Sequence, residues 1–447
     1  MKPRTRPNFV FILADDLGYA DLGCYGGRPR AAGLSFASCS PNLDRLAKQG
    51  LRFMQGYANS SVCSPTRFAL MTGRWQHRLR GGADEPIRSG PARGDPRLGL
   101  PPAHPTLPSL LRGAGYATGL FGKWHLGFPP HFGPLKSGYD EFFGSLSGAQ
   151  DYFTHCDPGG VHDLFEGEQE VHRKGYLTDL ITAKALSFLQ RRKDRPFLLS
   201  VHYNAPHWPW ETRGDAAEAK RIAQASSRIY HFDGGSLPAY LTMIRQMDEG
   251  IGRILLALKK LKLERNTLVV FTSDNGGERF SDTWPLVGKK MDLLEGGIRV
   301  PYIVRWPGKV KAGSTTAQHA VTMDWVATML EAAGAAPDAS YPLDGISLLK
   351  VIQGGKTFKR DLFWKMVYRN QKAMRSGDWK YFSVEGDEFL YNLARDERER
   401  ANWAKRAPQR LDELRAKYRA WEESLPKFPD AAYSVPATKA DLATPSS

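Results

Sequence analysis

Apolar residues in this chain follow two patterns, and each predicts a different element. Asn8-Phe9-Val10-Phe11-Ile12-Leu13 is a continuous apolar run, as expected of a strand covered on both faces in a parallel sheet. Residues 116–121, 197–201, 267–272 and 302–305 read the same way. Between these runs, apolar positions recur near the 3.6-residue period of a helix. Leu180, Ile181, Ala185, Phe188 and Leu189 share one face of a helix predicted over 177–193. Leu241, Ile244, Ile251, Ile254, Leu255 and Leu258 stripe a longer one over about 238–262. Strands alternating with helices predict an α/β fold, a large, mostly parallel mixed sheet sandwiched by helices.

Shorter signals fill the gaps. Ser40-Pro41 opens a helix that closes at Gly50, Leu51–Met54 alternates as a strand, and Thr106 caps a helix carrying Leu107, Leu110 and Leu111. After about residue 318 the pattern changes. Alternating runs at 362–367, 373–375, 379–384 and 388–393, with turns at Gly377 and Gly386, predict a small antiparallel sheet with a charged helix over 408–422. The expected organisation is an N-terminal tail (1–7), a catalytic α/β domain (8–320), a C-terminal α+β subdomain (321–432) and a disordered Ala/Pro/Ser/Thr-rich tail (433–447). Residues 76–105 read as a long surface loop, 128–176 as an aromatic wall on the substrate side, and 212–236 as a lid or insertion.

Composition narrows the function classes. The 447 residues are 41% hydrophobic, enough for a sizeable core, and carry a formal net charge of +15. That balance favours anionic partners. The basic residues are scattered without an aromatic-interleaved stripe, which argues against nucleic acid. No apolar run is long enough to span a membrane. Of the four cysteines, Cys24, Cys39, Cys63 and Cys156, none has metal-type spacing. With no signal-peptide core before the first strand, the expected location is the cytoplasm, or the periplasm if the N-terminus is already processed.

The polar clusters carry the chemistry. Asp15-Asp16, Lys123-Trp124-His125, His202 to His207 and Asp274-Asn275 each directly follow a predicted strand. Any one of them alone also reads as a solvated loop. Ligands of open parallel sheets bind at the carboxyl ends of strands, so four together point to one site. Adjacent carboxylates with an amide favour a hard divalent cation. Ser61-Val62-Cys63-Ser64-Pro65-Thr66-Arg67 opens a helix that stops at Gly73, with Ser64 or Cys63 as its expected N-cap. Cys63 and Arg67 lie one turn apart, at a positive helix end that favours an anion and an activated side chain. The set suits metal-assisted transfer of an anionic group.

Over about residues 8–425 these motifs resemble the sulfatase family. Residues 8–18 resemble its N-terminal signature, Cys63-Ser64-Pro65-Thr66-Arg67 its Cys-x-Pro-x-Arg modification motif, and Gly122–Gly127 its second signature. His207, Asp274-Asn275 and Lys290-x-x-x-x-Glu295-Gly296-Gly297 fall in family order, and Arg375–Lys380 with Leu390–Leu393 resembles the C-terminal subdomain. Arg395-Asp396-Glu397 replaces the usual acidic-proline pair there. The resemblance implies a sulfuric-ester hydrolase acting on an aryl or carbohydrate sulfate. It implies that a formylglycine-generating enzyme converts Cys63 to formylglycine (3-oxoalanine), whose hydrate is the nucleophile. Asp15, Asp16, Cys63, Asp274 and Asn275 would hold Ca2+, or Mg2+. Arg67 and Lys123 would neutralise charge, His207 or Lys290 would assist the leaving oxygen, and His125 would take a proton. Lys289 is a less well-placed stand-in for Lys290. The alternatives are a phosphonate or phosphate ester hydrolase of the same superfamily, or a non-catalytic anion- or glycan-binding protein.

Overall fold

The computed structural model describes residues 6–27, 38–79, 87–225 and 235–426. The expected tail at 433–447 and parts of the expected loop and lid lie outside them. Ten strands build the main sheet: β1 (Asn8–Ala14), β2 (Leu51–Phe53), β3 (Ala117–Gly122), β4 (Glu141–Gly144), β5 (Phe165–Glu166), β6 (Gln169–Glu170), β7 (Phe197–His202), β8 (Thr267–Ser273), β9 (Tyr302–Arg305) and β10 (Ser314–Thr316). Their spatial order is β10-β2-β9-β8-β1-β7-β3-β4-β5-β6. From β8 through β4 every neighbouring pair is parallel, as the apolar runs predict. Antiparallel pairs appear only further out, at β9, β5 and β6.

β1 shows why a continuous apolar run was needed. Phe9, Phe11 and Leu13 enter one buried cluster, with helices α2 (Cys63–Thr72), α3 (Leu107–Gly113) and α6 (Asp324–Ala333). Val10, Ile12 and Ala14 enter the other, with α1 (Pro41–Lys48), α4 (Leu177–Arg192) and α5 (Leu237–Lys260). The period-2 alternation of a strand therefore serves two cores at once.

The C-terminal sheet is a plain antiparallel meander of β11 (Asp361–Met366), β12 (Gln371–Ser376), β13 (Trp379–Val384) and β14 (Asp387–Asn392), covered by α7 (Pro408–Glu423). Its core reaches Val62, Ala69 and Trp75 around α2. Helix α2 is thus clamped between two cores, and all ten of its residues are buried. At this junction lies an ion network that periodicity does not reveal. Glu295, fully buried, meets Lys380 Nζ at 3.1 Å and Arg375 Nη1 at 3.4 Å, and accepts from Tyr57 Oη at 2.8 Å. Lys380 also pairs with Glu399 at 2.8 Å. Removing one partner of such a network strands buried charge. Glu295→Ala is therefore expected to cost about 3–5 kcal/mol in a urea melt; a loss under about 1 kcal/mol would mean the network carries no load.

Two loop expectations need correcting. The described residues of 76–105 do not form a free surface loop: Leu79, Ile87, Leu98 and Leu100 are buried in the main core. The aromatic wall is also mostly interior. Tyr139, Phe142, Phe143 and Tyr152 are buried in the two main cores and Phe153 is partly exposed; Phe142 and Phe143 alternate across the interior strand β4, so one enters each core. Within the expected lid, residues 216–225 form a helix. No helix among the described residues is long and apolar enough to cross a membrane.

Candidate active site

The four predicted clusters leave the sheet at one edge. Asp15-Asp16 follow β1, Lys123-His125 follow β3, Tyr203–His207 follow β7 and Asp274-Asn275 follow β8. These are the four adjacent central parallel strands, so their carboxyl ends converge. Backbone geometry sharpens the turns out of β1 and β3. Asp16 and His125 hold left-handed conformations (φ 61° and 56°), which non-glycine residues rarely adopt. Gly122, at φ 118°, lets β3 pass so close to β7 that a Cβ there would meet the His202 carbonyl at 1.8 Å.

Into this edge α2 delivers Cys63. Val62, not Ser64 or Cys63, is the N-cap, and Cys63 is the first helical residue. Gly73 ends the helix at φ 68°, as expected. Cys63 Sγ lies 3.5 Å from Asp15 Oδ1, and ligand atoms of Asp15, Asp16, Cys63 and His207 lie within 4.8 Å of one another. Burial pushes Cys63 well above its ordinary value, and the Lys123 and Lys290 charges do not offset it.

Each cation is paired. Lys123 Nζ sits 2.6 Å from Asp15 Oδ2. The Arg67 guanidinium meets Asp274 Oδ2 at 2.8 Å and 3.0 Å and donates to the Lys123 carbonyl at 3.0 Å. Lys290 Nζ lies 2.7 Å from Asp16 Oδ2 and 3.2 Å from His207 Nε2, whereas Lys289 is exposed. Burial and then the Asp274 charge push the Asp15 carboxyl above the usual carboxylate range, against the pull of Lys123 and Arg67. Burial also works against Asp274, yet Arg67 and then Lys123 hold it below the usual carboxylate range. Asn275 donates Nδ2 to Asp16 Oδ1 at 2.7 Å and keeps its own Oδ1 buried without a partner. Crowded buried carboxylates and an orphaned amide oxygen fit a hard divalent cation.

The two histidines are held in defined tautomers. His207 Nδ1 faces the Trp208 carbonyl at 2.6 Å and His125 Nε2 faces the Ile87 carbonyl at 2.7 Å. A carbonyl only accepts, so these nitrogens carry the protons. His207 Nε2 and His125 Nδ1 are left as lone-pair sites, and His125 Nδ1 is buried with no partner. Burial first, then Lys290 for His207 and Lys123 for His125, lowers both well below the ordinary imidazole value.

Behind His207 lies a pair that the sequence did not single out. Glu211 and Asp151 are both buried at 1% exposure, and Glu211 Oε1 and Asp151 Oδ2 have no donor. Burial, then the Asp151 charge, pushes Glu211 up to about 9. The folded state holds this proton while the unfolded chain releases it near pH 4, so Glu211 costs stability increasingly as pH rises from about 4 to 9. Glu211→Gln is therefore expected to raise the melting temperature by about 2 °C or more at pH 8, and by less at pH 5. A gain larger at pH 5 would reverse this sign and sink the assignment.

Comparisons with known proteins identify the family. The family profile described as Sulfatase matches residues 7–335, and the profile of the N-sulphoglucosamine sulphohydrolase C-terminal region matches 284–415. The N-acetylgalactosamine-6-sulfatase of Sus scrofa is 34% identical over 398 residues, spanning 82% of this chain and 69% of the relative. Human (Homo sapiens) arylsulfatase A is 32% identical, over 85% of this chain and 75% of its own. The crystal structure of Ps i-CgsB in complex with k-i-k-neocarrahexaose superposes with a TM-score of 0.81 at 29% identity, covering 94% of each chain. The chain belongs to the sulfatase family, enzymes that hydrolyse sulfate esters of carbohydrate or aryl groups.

Proposed function

We propose that this protein releases sulfate from a carbohydrate sulfate ester, with Cys63 converted to formylglycine and a divalent cation, Ca2+ or Mg2+, bound beside it. The observation that carries the reading is the position of Cys63. It opens a buried helix at the strand ends where carboxylates, cations and imidazoles converge. The relatives support the substrate class: one is named for a sulfated amino sugar, and one solved structure holds a neocarrahexaose.

Asp15, Asp16, Asp274 and Asn275 would hold the cation, which supplies Lewis-acid polarisation of a sulfate oxygen when bound. Formylglycine supplies an oxygen nucleophile that a buried, protonated thiol is not. The chain's own residues do the rest. Arg67, Lys123 and Lys290 place three fixed positive charges around the anion, where they stabilise charge as it spreads over the sulfate oxygens. His125 Nδ1 takes up a proton at the reacting centre, because its Nε2 proton is committed to Ile87. His207 accepts from Lys290 at Nε2, so it orients the ammonium, and Lys290 supplies the proton to the leaving oxygen.

The test is a substrate comparison on protein produced together with a formylglycine-generating enzyme. Sulfated monosaccharides and aryl sulfates are expected to exceed aryl phosphonates in kcat/KM by about 100-fold or more. Preference for the phosphonate would favour the other branch of the superfamily. Intact mass should show the Cys63 peptide about 18 Da lighter than cysteine requires. An unmodified peptide in an active enzyme would remove formylglycine from the reading.

A further inference from the structure

A second cluster of ligating side chains lies at the far edge of the main sheet, away from the strands that build the candidate active site. Glu170 closes the edge strand β6, and the pairing continues past it, since Val171 N donates to the Leu164 carbonyl at 2.8 Å. His172 follows two residues later, the spacing that puts two side chains on one side of an extended chain. The third member comes from a separate hairpin, closed by Asp157 N to the Val161 carbonyl (2.7 Å) and Asp163 N to the His155 carbonyl (2.8 Å). That hairpin places His162 against Glu170, with Nδ1 at 3.0 Å from Oε1. The same oxygen lies 3.8 Å from His172 Nε2. The two imidazole rings sit 4.1 Å apart between centroids, tilted by 33°.

We propose that His162, Glu170 and His172 form a binding site for a late first-row divalent metal ion, for which Zn2+ is the probe. The three ligand atoms all lie within 4.8 Å of one another. Bonds of about 2.0–2.2 Å to one ion separate neighbouring ligands by roughly 3–3.5 Å, so the side chains need only small adjustments. Two imidazoles and one carboxylate select Zn2+, Ni2+ or Cu2+ over Ca2+, which prefers an all-oxygen shell. The ion replaces the proton that His162 Nδ1 shares with Glu170, and the exposed face leaves room for water to complete the coordination. A bound ion would tie the 155–163 hairpin to β6. That hairpin also carries Asp163, which accepts from Ser147 N at 2.8 Å in the segment lying beside His125.

Zn2+ titration by calorimetry into Ca2+-loaded protein tests the site. Wild type is expected to bind one more Zn2+ per chain than His172→Ala, and Glu170→Gln should bind it at least about tenfold more weakly. His172 is 80% exposed, so its removal leaves the fold intact. Any Zn2+ taken by the Asp15–His207 cluster is common to all three proteins and cancels in the comparison. Equal stoichiometry and affinity in wild type and His172→Ala would overturn the proposal. Sulfate-ester turnover should be the same in both.

Discussion

Cys63→Ala is expected to fold like the wild type and to turn over aryl sulfate about 10⁴-fold more slowly or worse. The substitution removes one sulfur atom at a site where its polar contact is a 3.5 Å approach to Asp15. The cavity is small, and stability should fall by only about 1 kcal/mol. Chemistry should fall far more, because among the described residues at this edge the carboxylates are committed to Lys123, Lys290 and Arg67 and no other thiol or hydroxyl opens the helix where Cys63 does. Arg67, Lys123 and Lys290 are charged and paired, and the imidazoles are fixed as proton carriers. Steady-state rates beside a thermal melt separate the two effects. Retention of a tenth of the wild-type rate in a folded variant would show that Cys63 does not carry the reaction.

Asp274→Ala should lose activity and stability together. Asp274 is fully buried, holds Arg67 through two guanidinium nitrogens, and accepts from Asp16 N at 3.3 Å. Without it, Arg67 becomes a buried cation facing only Asp15 at 3.7 Å, a change that costs about 3–5 kcal/mol. Turnover is expected to drop about 10³-fold or more, since an oxygen of the cation cradle and the anchor of Arg67 go together. Asp274→Asn keeps the shape and one acceptor but not the charge that Arg67 needs, so it should recover the lost packing, only part of the stability and little of the rate. If Asp274→Asn were fully active, the negative charge at this position would be irrelevant to the reaction.

The sheet and the convergent edge could be read in advance because both depend on short-range signals. A continuous apolar run reports a two-sided strand, and a polar cluster directly after it reports a strand end. Helices α4 and α5 were bounded within two residues for the same reason, a long 3.6-residue stripe with clear ends. What escaped were contacts between segments with no local mark. Glu295, Lys380 and Glu399 look like ordinary surface charges until packing buries them at 7% exposure or less. Ile87 sits in a Gly- and Arg-rich stretch, and nothing there shows that its carbonyl fixes the tautomer of His125. Phe142 and Phe143 give no sign of which core each enters, because β4 is four residues long, too short to show a period. Glu211 and Asp151 lie 60 residues apart, and only the fold brings their carboxyls together.

The position of β1 also sets a timetable. It pairs with β7 on one side and β8 on the other. The pocket around Cys63 therefore cannot close until the chain as far as Asp274 exists. Roughly 200 residues separate the two, which at typical synthesis rates is about 10–40 s. During that interval Cys63 belongs to an unfinished chain that another protein can grasp in extended form. Afterwards it is the buried first residue of a helix packed between two cores. If Cys63 is converted before the fold closes, as its burial in the folded chain favours, slower synthesis between Cys63 and Asp274 should raise the fraction of chains converted.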